Sequence, residues 1–229
     1  MDKISSIKKA CKITDQAFEF ILKKVGPGIT EKELAREINK FIYKQNAKLA
    51  FPTIVAFGKN SSEIHHKPTN KKLINKSQFI MFDFGAKFND YCTDMSRTIV
   101  FGKPTPEQKK IYSTVLTAQE LAIKQLNNLT IKKKIIKAYE IDKVARDYIF
   151  RKGFDPIPHS LGHGVGKKVH ENPKISPVSA DILKIGDIFT IEPGIYIKNF
   201  GGVRIEDVFV LTKKGVKPLT HSPKALIVV

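Results

Sequence analysis

The segment Phe79–Val100 constrains the fold most, because it places two aspartates within sequence that is otherwise apolar and strand-like. Its residues, FIMFDFGAKFNDYCTDMSRTIV, predict a β-hairpin that turns at Asn89-Asp90. This register pairs Asp83 with Ser96 and places Asp94 diagonally opposite Asp83 on the same face. Carboxylates that share one face of a core repel each other unless a cation lies between them. The apolar flanks argue against the alternative, in which each aspartate is simply solvated.

Three further segments carry side chains with the chemistry of metal ligands. Residues 159–166 read HSLGHGVG and are followed by His170, so three of the six histidines lie within twelve residues. An isolated histidine is more often structural, but neighbouring glycines let the backbone approach a ligand closely and favour a binding role. Glu192 ends an apolar strand before a Pro-Gly turn. Arg204 and Glu206 alternate onto one face of a later strand-like segment, and Asp207 takes the other face.

Together these segments supply five candidate metal ligands along the chain. They are Asp83, Asp94, His163, Glu192 and Glu206. Four carboxylates and one imidazole favour Mn²⁺, Co²⁺, Fe²⁺ or Zn²⁺, and such a set can hold and bridge two ions. A two-metal site makes a hydrolase the first functional hypothesis.

The composition limits the classes of partner that the chain is expected to bind. A formal net charge of +18 could indicate nucleic-acid or anionic-surface binding. However, the lysines are scattered, only five residues are arginine and tryptophan is absent, so nucleic acid is not the expected partner. No apolar run approaches the roughly 20 residues of a membrane span, and the N-terminus does not look like a signal peptide. With two cysteines, a cytoplasmic protein without a membrane partner is expected.

Periodicity and capping signals predict two helix pairs, each followed by strands. Helices are expected over 9–25, from a capping box at Thr30 to about Gln45, from a second capping box at Thr105 to about Leu126, and over roughly 136–152. Strands are expected at 51–57, 78–88, 91–101, 187–192, 194–198 and 203–211. This repeated order predicts an α+β fold with two pseudo-symmetric halves.

These segments resemble the pita-bread (creatinase/aminopeptidase-like) metallopeptidases, which include methionine aminopeptidase, Xaa-Pro aminopeptidase and prolidase. The resemblance runs from about Ala50 to Leu226, and YCTDMSRT, SLGHGVG, VHE, TIEPGIY and GGVRIED are similar to the Xaa-Pro branch in particular. It implies two helix-helix-strand halves around a curved antiparallel sheet. It also leads us to expect a single catalytic domain over 1–229, without the separate N-terminal domain that Xaa-Pro peptidases usually carry.

The resemblance also implies roles for individual residues. The ligands of one ion would be Asp83, Asp94 and Glu206, and those of the other Asp94, His163, Glu192 and Glu206. Mn²⁺ is the first expectation for both ions, with Co²⁺, Zn²⁺ or Fe²⁺ as alternatives. Glu192 would also be the general base, His170 would stabilise the oxyanion and His65 would help to position the leaving residue. His159 and Arg204 would shape the site or hold a substrate carboxylate.

The leading functional hypothesis is a dinuclear-metal Xaa-Pro aminopeptidase that acts on short peptides with proline at the second position. An Xaa-Pro dipeptidase (prolidase) is the first alternative and a methionine aminopeptidase the second, and a homodimer is compatible with each. A hypothesis from another class is an inactive pita-bread module that binds peptide, protein or RNA. The presence of all five ligand positions argues against that module.

Overall fold

A computed structural model describes residues 2–229, and within this range two pairs of α-helices alternate with two groups of β-strands. The helices are α1 (Lys3–Leu22), α2 (Glu31–Lys44), α3 (Pro106–Ile131) and α4 (Ala138–Arg151). The predicted α+β class and the repeated helix-helix-strand order are confirmed. None of the helices between residues 2 and 229 is both long and apolar enough to cross a bilayer.

The strands form two main antiparallel sheets and three small ones. The first group comprises β1 (Lys48–Leu49), β2 (Ile54–Phe57), β3 (Gln78–Phe84), β4 (Ala86–Phe88), β5 (Tyr91–Cys92) and β6 (Met95–Phe101), with a 3₁₀ helix at Gly58–Ser62. The second comprises β7 (Ile136–Lys137), β8 (Gly162–Gly164), β9 (Glu171–Ile175), β10 (Ile182–Leu183), β11 (Ile188–Ile191), β12 (Gly194–Ile197), β13 (Gly201–Arg204), β14 (Asp207–Thr212) and β15 (Gly215–Pro218). The main sheets have the strand orders β2-β3-β6 and β15-β14-β11-β8-β9. The small sheets are β1-β4-β5, β12-β13 and β10-β7.

Local capping explains where the helices begin. Both predicted capping boxes are present, and the threonines at 30 and 105 accept hydrogen bonds from the third helical residue. Helix α1 begins at Lys3 rather than at residue 9, because the Asp2 carboxylate accepts the backbone N–H of Ser5. Helix α3 continues past Leu126 to Ile131, since its last turns still pack on the core.

The predicted hairpin forms with the expected register. Strands β3 and β6 pair Asp83 with Ser96, and both turn residues have positive φ, 47° at Asn89 and 65° at Asp90. Positive φ at both central residues defines the type I′ turn that two-residue hairpins favour. Gly85 lies between β3 and β4. Only glycine fits at this position, because a Cβ would lie 1.9 Å from the carbonyl oxygen of Thr93.

Two hydrophobic clusters place the helices on the outside and leave an inner face between the halves. Helices α1 and α2 cover β2, β3 and β6, whereas α3 and α4 cover the second sheet. On β3, Ile80 and Phe82 face α1 and α2, so Met81 and Asp83 point the other way. Met81 packs with Tyr196 from the second half. The inner face therefore lies where the two halves meet.

Candidate active site

The five candidate ligands converge on this inner face. Strand β3 carries Asp83, β8 carries His163, and the remaining three lie at strand ends, Asp94 before β6, Glu192 after β11 and Glu206 between β13 and β14. Their ligand atoms form overlapping groups in which all atoms lie within 4.8 Å of one another: Asp83, Asp94 and Glu206; His163, Glu192 and Glu206; Asp94, His163 and His170. The structure thus brings together residues that are up to 123 positions apart, from 83 to 206, in one cluster.

The buried oxygens of this cluster fit a bound cation. Asp83 Oδ1, Asp94 Oδ1 and Glu206 Oε1 are buried and have no hydrogen-bond partner in the described part of the chain. A buried acceptor without a partner is costly, and nearly all such atoms in proteins are satisfied. Hard carboxylate oxygens with one imidazole are a donor set for divalent first-row metals. The residues present therefore fit two divalent ions.

His163 is oriented to present Nε2 to the cluster. Its Nδ1 lies 3.2 Å from the carbonyl oxygen of Gly164, which can only accept, so Nδ1 carries a proton. Its Nε2 lies 3.2 Å from Glu192 Oε1, 3.6 Å from Asp94 Oδ2 and 3.9 Å from Glu206 Oε1. Nε2 is therefore the candidate ligand atom of this imidazole.

The carboxylates destabilise one another in the absence of metal. Burial, together with the charges of Glu206 and Asp83, raises the pKa of Asp94 well above its ordinary value. Burial and the charges of Glu192 and Asp83 have the same effect on the pKa of Glu206. Burial also opposes ionisation of Glu192, but the adjacent His163 outweighs it and lowers the pKa of Glu192. The cluster thus has excess negative charge that cations would neutralise.

Arg204 holds two of the candidate ligands in place. Its side chain is buried, and Nη2 donates to Asp83 Oδ2 at 2.5 Å. Its Nε donates to Ser96 Oγ at 2.7 Å, and that hydroxyl donates to Glu206 Oε2 at 2.7 Å. Its Nη1 donates to the hydroxyl of Tyr196 at 2.9 Å. All three guanidinium nitrogens therefore donate hydrogen bonds to protein atoms. These contacts suit Arg204 to shaping the site better than to binding a substrate carboxylate.

His159 is joined to Arg204 through Tyr196. The Nδ1 of His159 lies 2.8 Å from the carbonyl oxygen of Ser160, so it donates, and Nε2 accepts from the Tyr196 hydroxyl at 2.8 Å. Burial lowers the pKa of His159, which favours this neutral form. Sequence analysis did not single out Tyr196. Tyr196 is the last residue of the TIEPGIY segment that carries the family resemblance, and a Cβ at Gly194 would lie 2.4 Å from its hydroxyl.

His170 and His65 lie at the exposed mouth of the cluster. The ring centroid of His170 is 4.3 Å from that of His163, in an edge-on arrangement. Burial and the charge of His163 lower the pKa of His170, and His65 contributes in the same direction. Both histidines are exposed.

An exposed lysine that sequence analysis did not identify shares this face. Strands β8 and β9 pair His163 with Lys174. Directly opposed residues of an antiparallel pair project from the same face of the sheet, so the Lys174 side chain leaves the sheet beside His163. Lys174 is exposed. No sequence pattern indicated Lys174, because β9 was not among the predicted strands.

A second buried ion pair supports the backbone beneath the cluster. Asp207 faces away from Glu206, as the strand alternation predicted, and accepts from Arg97 Nη2 at 2.5 Å. Arg97 Nη1 donates to the carbonyl oxygens of Glu206 at 2.6 Å and Ser96 at 3.0 Å. Gln119 Nε2 adds a hydrogen bond to Asp207 Oδ2 at 3.0 Å. The Arg97 side chain thereby fixes the backbone that carries Ser96 and Glu206, on the side away from the ligand cluster.

Known proteins match this chain over nearly its full length. The sequence pattern of metallopeptidase family M24 matches residues 5–213. The Xaa-Pro dipeptidase of Pyrococcus furiosus is 40% identical over 229 residues, which are 99% of this chain and 64% of that protein. A structure of the Xaa-Pro dipeptidase of Bacillus anthracis superposes with a TM-score of 0.92 at 40% identity, covering 99% of this chain and 62% of that one.

A structure of the X-Pro aminopeptidase of Thermotoga maritima also has a TM-score of 0.92, at 38% identity, and covers 99% of this chain and 63% of that one. The expected pita-bread fold is confirmed by these superpositions. The chain spans less than two thirds of the length of each of these relatives.

Proposed function

The chain belongs to metallopeptidase family M24, and from that premise we propose that it hydrolyses Xaa-Pro dipeptides. The observation that carries the proposal is the convergence of five ligands on a buried cluster whose oxygens lack other partners. Relatives named Xaa-Pro dipeptidase support the choice of substrate. They favour the dipeptidase alternative over the aminopeptidase that sequence analysis ranked first. The intact ligand set argues against an inactive binding module.

The metals would be held by the five ligands and would supply the electrophile. When bound, two divalent ions polarise the scissile carbonyl and make a nucleophile available near neutral pH. Mn²⁺ as the preferred metal, a cytoplasmic location and a homodimer remain predictions. So does the absence of a nucleic-acid partner.

Glu192 is the proposed general base. The Thr190 hydroxyl accepts the backbone N–H of His163, so it donates its own proton to Glu192 Oε1 at 3.3 Å. The Nε2 of His163 also lies 3.2 Å from Oε1. These contacts leave Oε2 to accept a proton and return it to the leaving amine.

The two histidines at the mouth would act on the substrate directly. A neutral His170 can donate a ring N–H to the oxyanion that develops on the scissile carbonyl. His65 would hydrogen-bond near the same bond and position the proline residue. Proline has no backbone N–H, so its recognition must rely on the carbonyl, the ring and, in a dipeptide, the free carboxylate.

A second candidate function is an Xaa-Pro aminopeptidase. It is favoured by the similarity to the Thermotoga maritima enzyme of that name, which is nearly as high as that to the dipeptidases. The two activities differ in whether the substrate carries a free carboxylate on the proline. An aminopeptidase must leave that end open to a longer chain.

A peptide panel with Mn²⁺ tests the proposal. We expect hydrolysis of Ala-Pro to be faster than that of Ala-Pro-Ala and that of Met-Ala-Ser to be undetectable. Release of free amino acids would be followed by chromatography, with EDTA-treated protein as the control. Preferential cleavage of Ala-Pro-Ala would favour the aminopeptidase. Cleavage of Met-Ala-Ser alone would contradict both.

Lys174 is the residue we expect to recognise the dipeptide carboxylate. Replacing it with methionine should raise the KM for Ala-Pro about fivefold, because an exposed ion pair contributes about 1 kcal/mol. The KM for Ala-Pro amide, which lacks the carboxylate, should not change. Lys217→Met provides a matched control, since Lys217 is exposed on β15 at the opposite edge of the sheet. An equal effect on both substrates would exclude this role.

A further inference from the structure

A buried carboxylate outside the ligand cluster anchors the loop that carries His65. Glu31 is the first residue of α2 and is 0% exposed. Its Oε1 accepts from the backbone N–H of Phe57 at 2.7 Å and from Asn60 Nδ2 at 2.8 Å. Its Oε2 accepts from the backbone and hydroxyl of Thr69, at 2.9 and 2.6 Å, and lies 2.9 Å from His66 Nε2. One carboxylate thus joins both ends and the middle of the loop.

A fully buried glutamate such as Glu31 is unusual in a protein. Glutamate is rarely buried unless its oxygens are fully hydrogen-bonded. Burial by itself would raise the pKa of Glu31, but the hydrogen bonds from Thr69, His66 and Phe57 outweigh it and lower the pKa. Glu31 is therefore ionised, and it organises donors that come from separate points along the loop.

The two adjacent histidines of the loop have different environments. His66 is buried between two carboxylates, with Nε2 2.9 Å from Glu31 and Nδ1 2.6 Å from Glu63 Oε2. A protonated ring can donate to both carboxylates at once. His65 is exposed, and its charge lowers the pKa of His170. Because the residues are consecutive, fixing the ring of His66 fixes the backbone from which His65 projects.

The same loop rests on the strand that leads to the ligand cluster. The Ser61 hydroxyl accepts the backbone N–H of Gly202 on β13 at 2.8 Å. The carbonyl oxygen of Ile64 lies 3.5 Å from Nη1 of Arg204 at the end of that strand. The loop is thus held on one side by Glu31 and on the other by β13. Ile64, the residue before His65, contacts Arg204, which itself donates to Asp83 of the cluster.

We propose that Glu31 is a positioning residue for the reaction, which acts through His66 to hold His65 over the scissile bond. Glu31 does not contact the substrate, and its contribution depends on the presence of His65. The inference rests on the proposed function, in which His65 positions the proline residue.

A double-mutant cycle tests the proposal. Glu31→Gln keeps the shape of the side chain but replaces one acceptor oxygen with an amide nitrogen, which donates and cannot accept. We expect kcat/KM for Ala-Pro to fall about 10- to 100-fold, as small misplacements of a catalytic group do. In a His65→Ala background, Glu31→Gln should change kcat/KM less than twofold. The same fold-loss in both backgrounds would overturn the proposal, since it would show a purely structural effect.

Two further variants keep the test decisive if Glu31→Gln folds poorly. Glu63 contacts the other nitrogen of His66 and its side chain is 67% exposed, so Glu63→Gln should leave the fold intact. We expect a two- to threefold loss that also disappears in the His65→Ala background, and no loss would count against the inference. Glu33→Gln is the matched control, because Glu33 lies on the same helical turn but hydrogen-bonds only Thr30.

A measurement without substrate separates this inference from the proposed function. In histidine-labelled protein, Glu31→Gln should shift or broaden the ring resonances of His65 and leave those of His221, which is exposed and contacts Asp15, unchanged. This result would support the positioning role even if the peptide panel identified a different substrate. Unchanged His65 resonances would overturn the role, whatever the substrate.

Discussion

Replacing Asp94 with alanine is expected to abolish hydrolysis of Ala-Pro and, in metal-free protein, to raise the melting temperature. Asp94 belongs to two of the three groups of ligand atoms, so its loss weakens the binding of both ions. We expect kcat/KM to fall by at least about a thousandfold, as it does when one member of a catalytic group that acts as a unit is removed. Metal analysis after Mn²⁺ loading should give fewer bound ions than in the wild type.

The stabilisation of the metal-free variant follows from the charges. Burial and neighbouring carboxylates raise the pKa of Asp94 in the folded protein, so its ionised form destabilises the fold. Removing it should raise the melting temperature by about 2–4 °C for each kcal/mol of repulsion relieved. Most active-site substitutions that remove a hydrogen-bonding group have the opposite effect.

The pH dependence of the stability provides a control for the effect of Asp94→Ala. A group whose folded-state pKa is raised stabilises the fold fully below its unfolded pKa and loses that contribution as the pH rises through the folded pKa. Metal-free wild-type protein should therefore lose stability as the pH rises above the ordinary carboxylate range, more so than Asp94→Ala, and Mn²⁺ should remove the difference. Asp90→Asn, in the exposed turn of the same hairpin, should match the wild type. Retention of a tenth of the activity in Asp94→Ala would contradict the assigned role.

The hairpin that carries Asp94 could be predicted from sequence because its register depends on local chemistry. A two-residue turn fixes the pairing, and the alternation of side chains then determines which residues share a face. The same alternation correctly separated Glu206 from Asp207. These features depend on residues within one strand or one hairpin, so a single sequence contains the required information.

Features that depend on pairing between distant segments could not be predicted in this way. Strand β8 is only Gly162–Gly164, and it forms because it pairs with β11 and β9. A Cβ at Gly162 would lie 2.0 Å from the carbonyl oxygen of Thr190, so these glycines serve close backbone approach rather than strand propensity. Without β8 and β9, the position of Lys174 beside His163 had no basis in the sequence.

The hydrogen-bond partners of individual polar residues could not be predicted either, because they also connect distant segments. Sequence placed Arg204 on the face of Glu206, but its bonds to Asp83 and Tyr196 connect segments from both halves. The resemblance implied a role for His65 alone, and the contacts of His66 with Glu31 and Glu63 emerge only in the folded chain. The proposed preference for dipeptides over longer peptides would likewise depend on groups at the mouth of the site, which the ligand motifs do not include.

Replacing Arg97 with methionine should have the largest effect on stability. Arg97 is 1% exposed, and it pairs with Asp207, which is also 1% exposed. Removing one partner of a buried ion pair leaves the other charge uncompensated and costs about 3–5 kcal/mol. The carbonyl oxygens of Glu206, Ser222 and Pro223 would also lose their donor. We expect the melting temperature to fall by about 10 °C.

The pH dependence of the destabilisation by Arg97→Met shows whether its cause is the uncompensated charge of Asp207 or lost packing. Burial opposes ionisation of Asp207, but Arg97 and Lys224 outweigh it and lower the pKa of Asp207. A group with a lowered folded-state pKa stabilises the fold above its unfolded pKa and loses that contribution as the pH falls through the folded value. The destabilisation of Arg97→Met should therefore be larger at pH 7 than near pH 3. A pH-independent loss would point to lost packing of the long side chain instead.

A double variant separates the charge from the volume. Arg97→Met combined with Asp207→Leu removes both buried charges, and it should recover part of the stability lost in Arg97→Met. Arg151→Met, at the exposed end of α4, is the control and should change stability by less than about 0.5 kcal/mol. Chemical denaturation would give the free energies. If the loss in free energy of unfolding of the double variant equalled the sum of the two single losses, Arg97 and Asp207 would not be coupled.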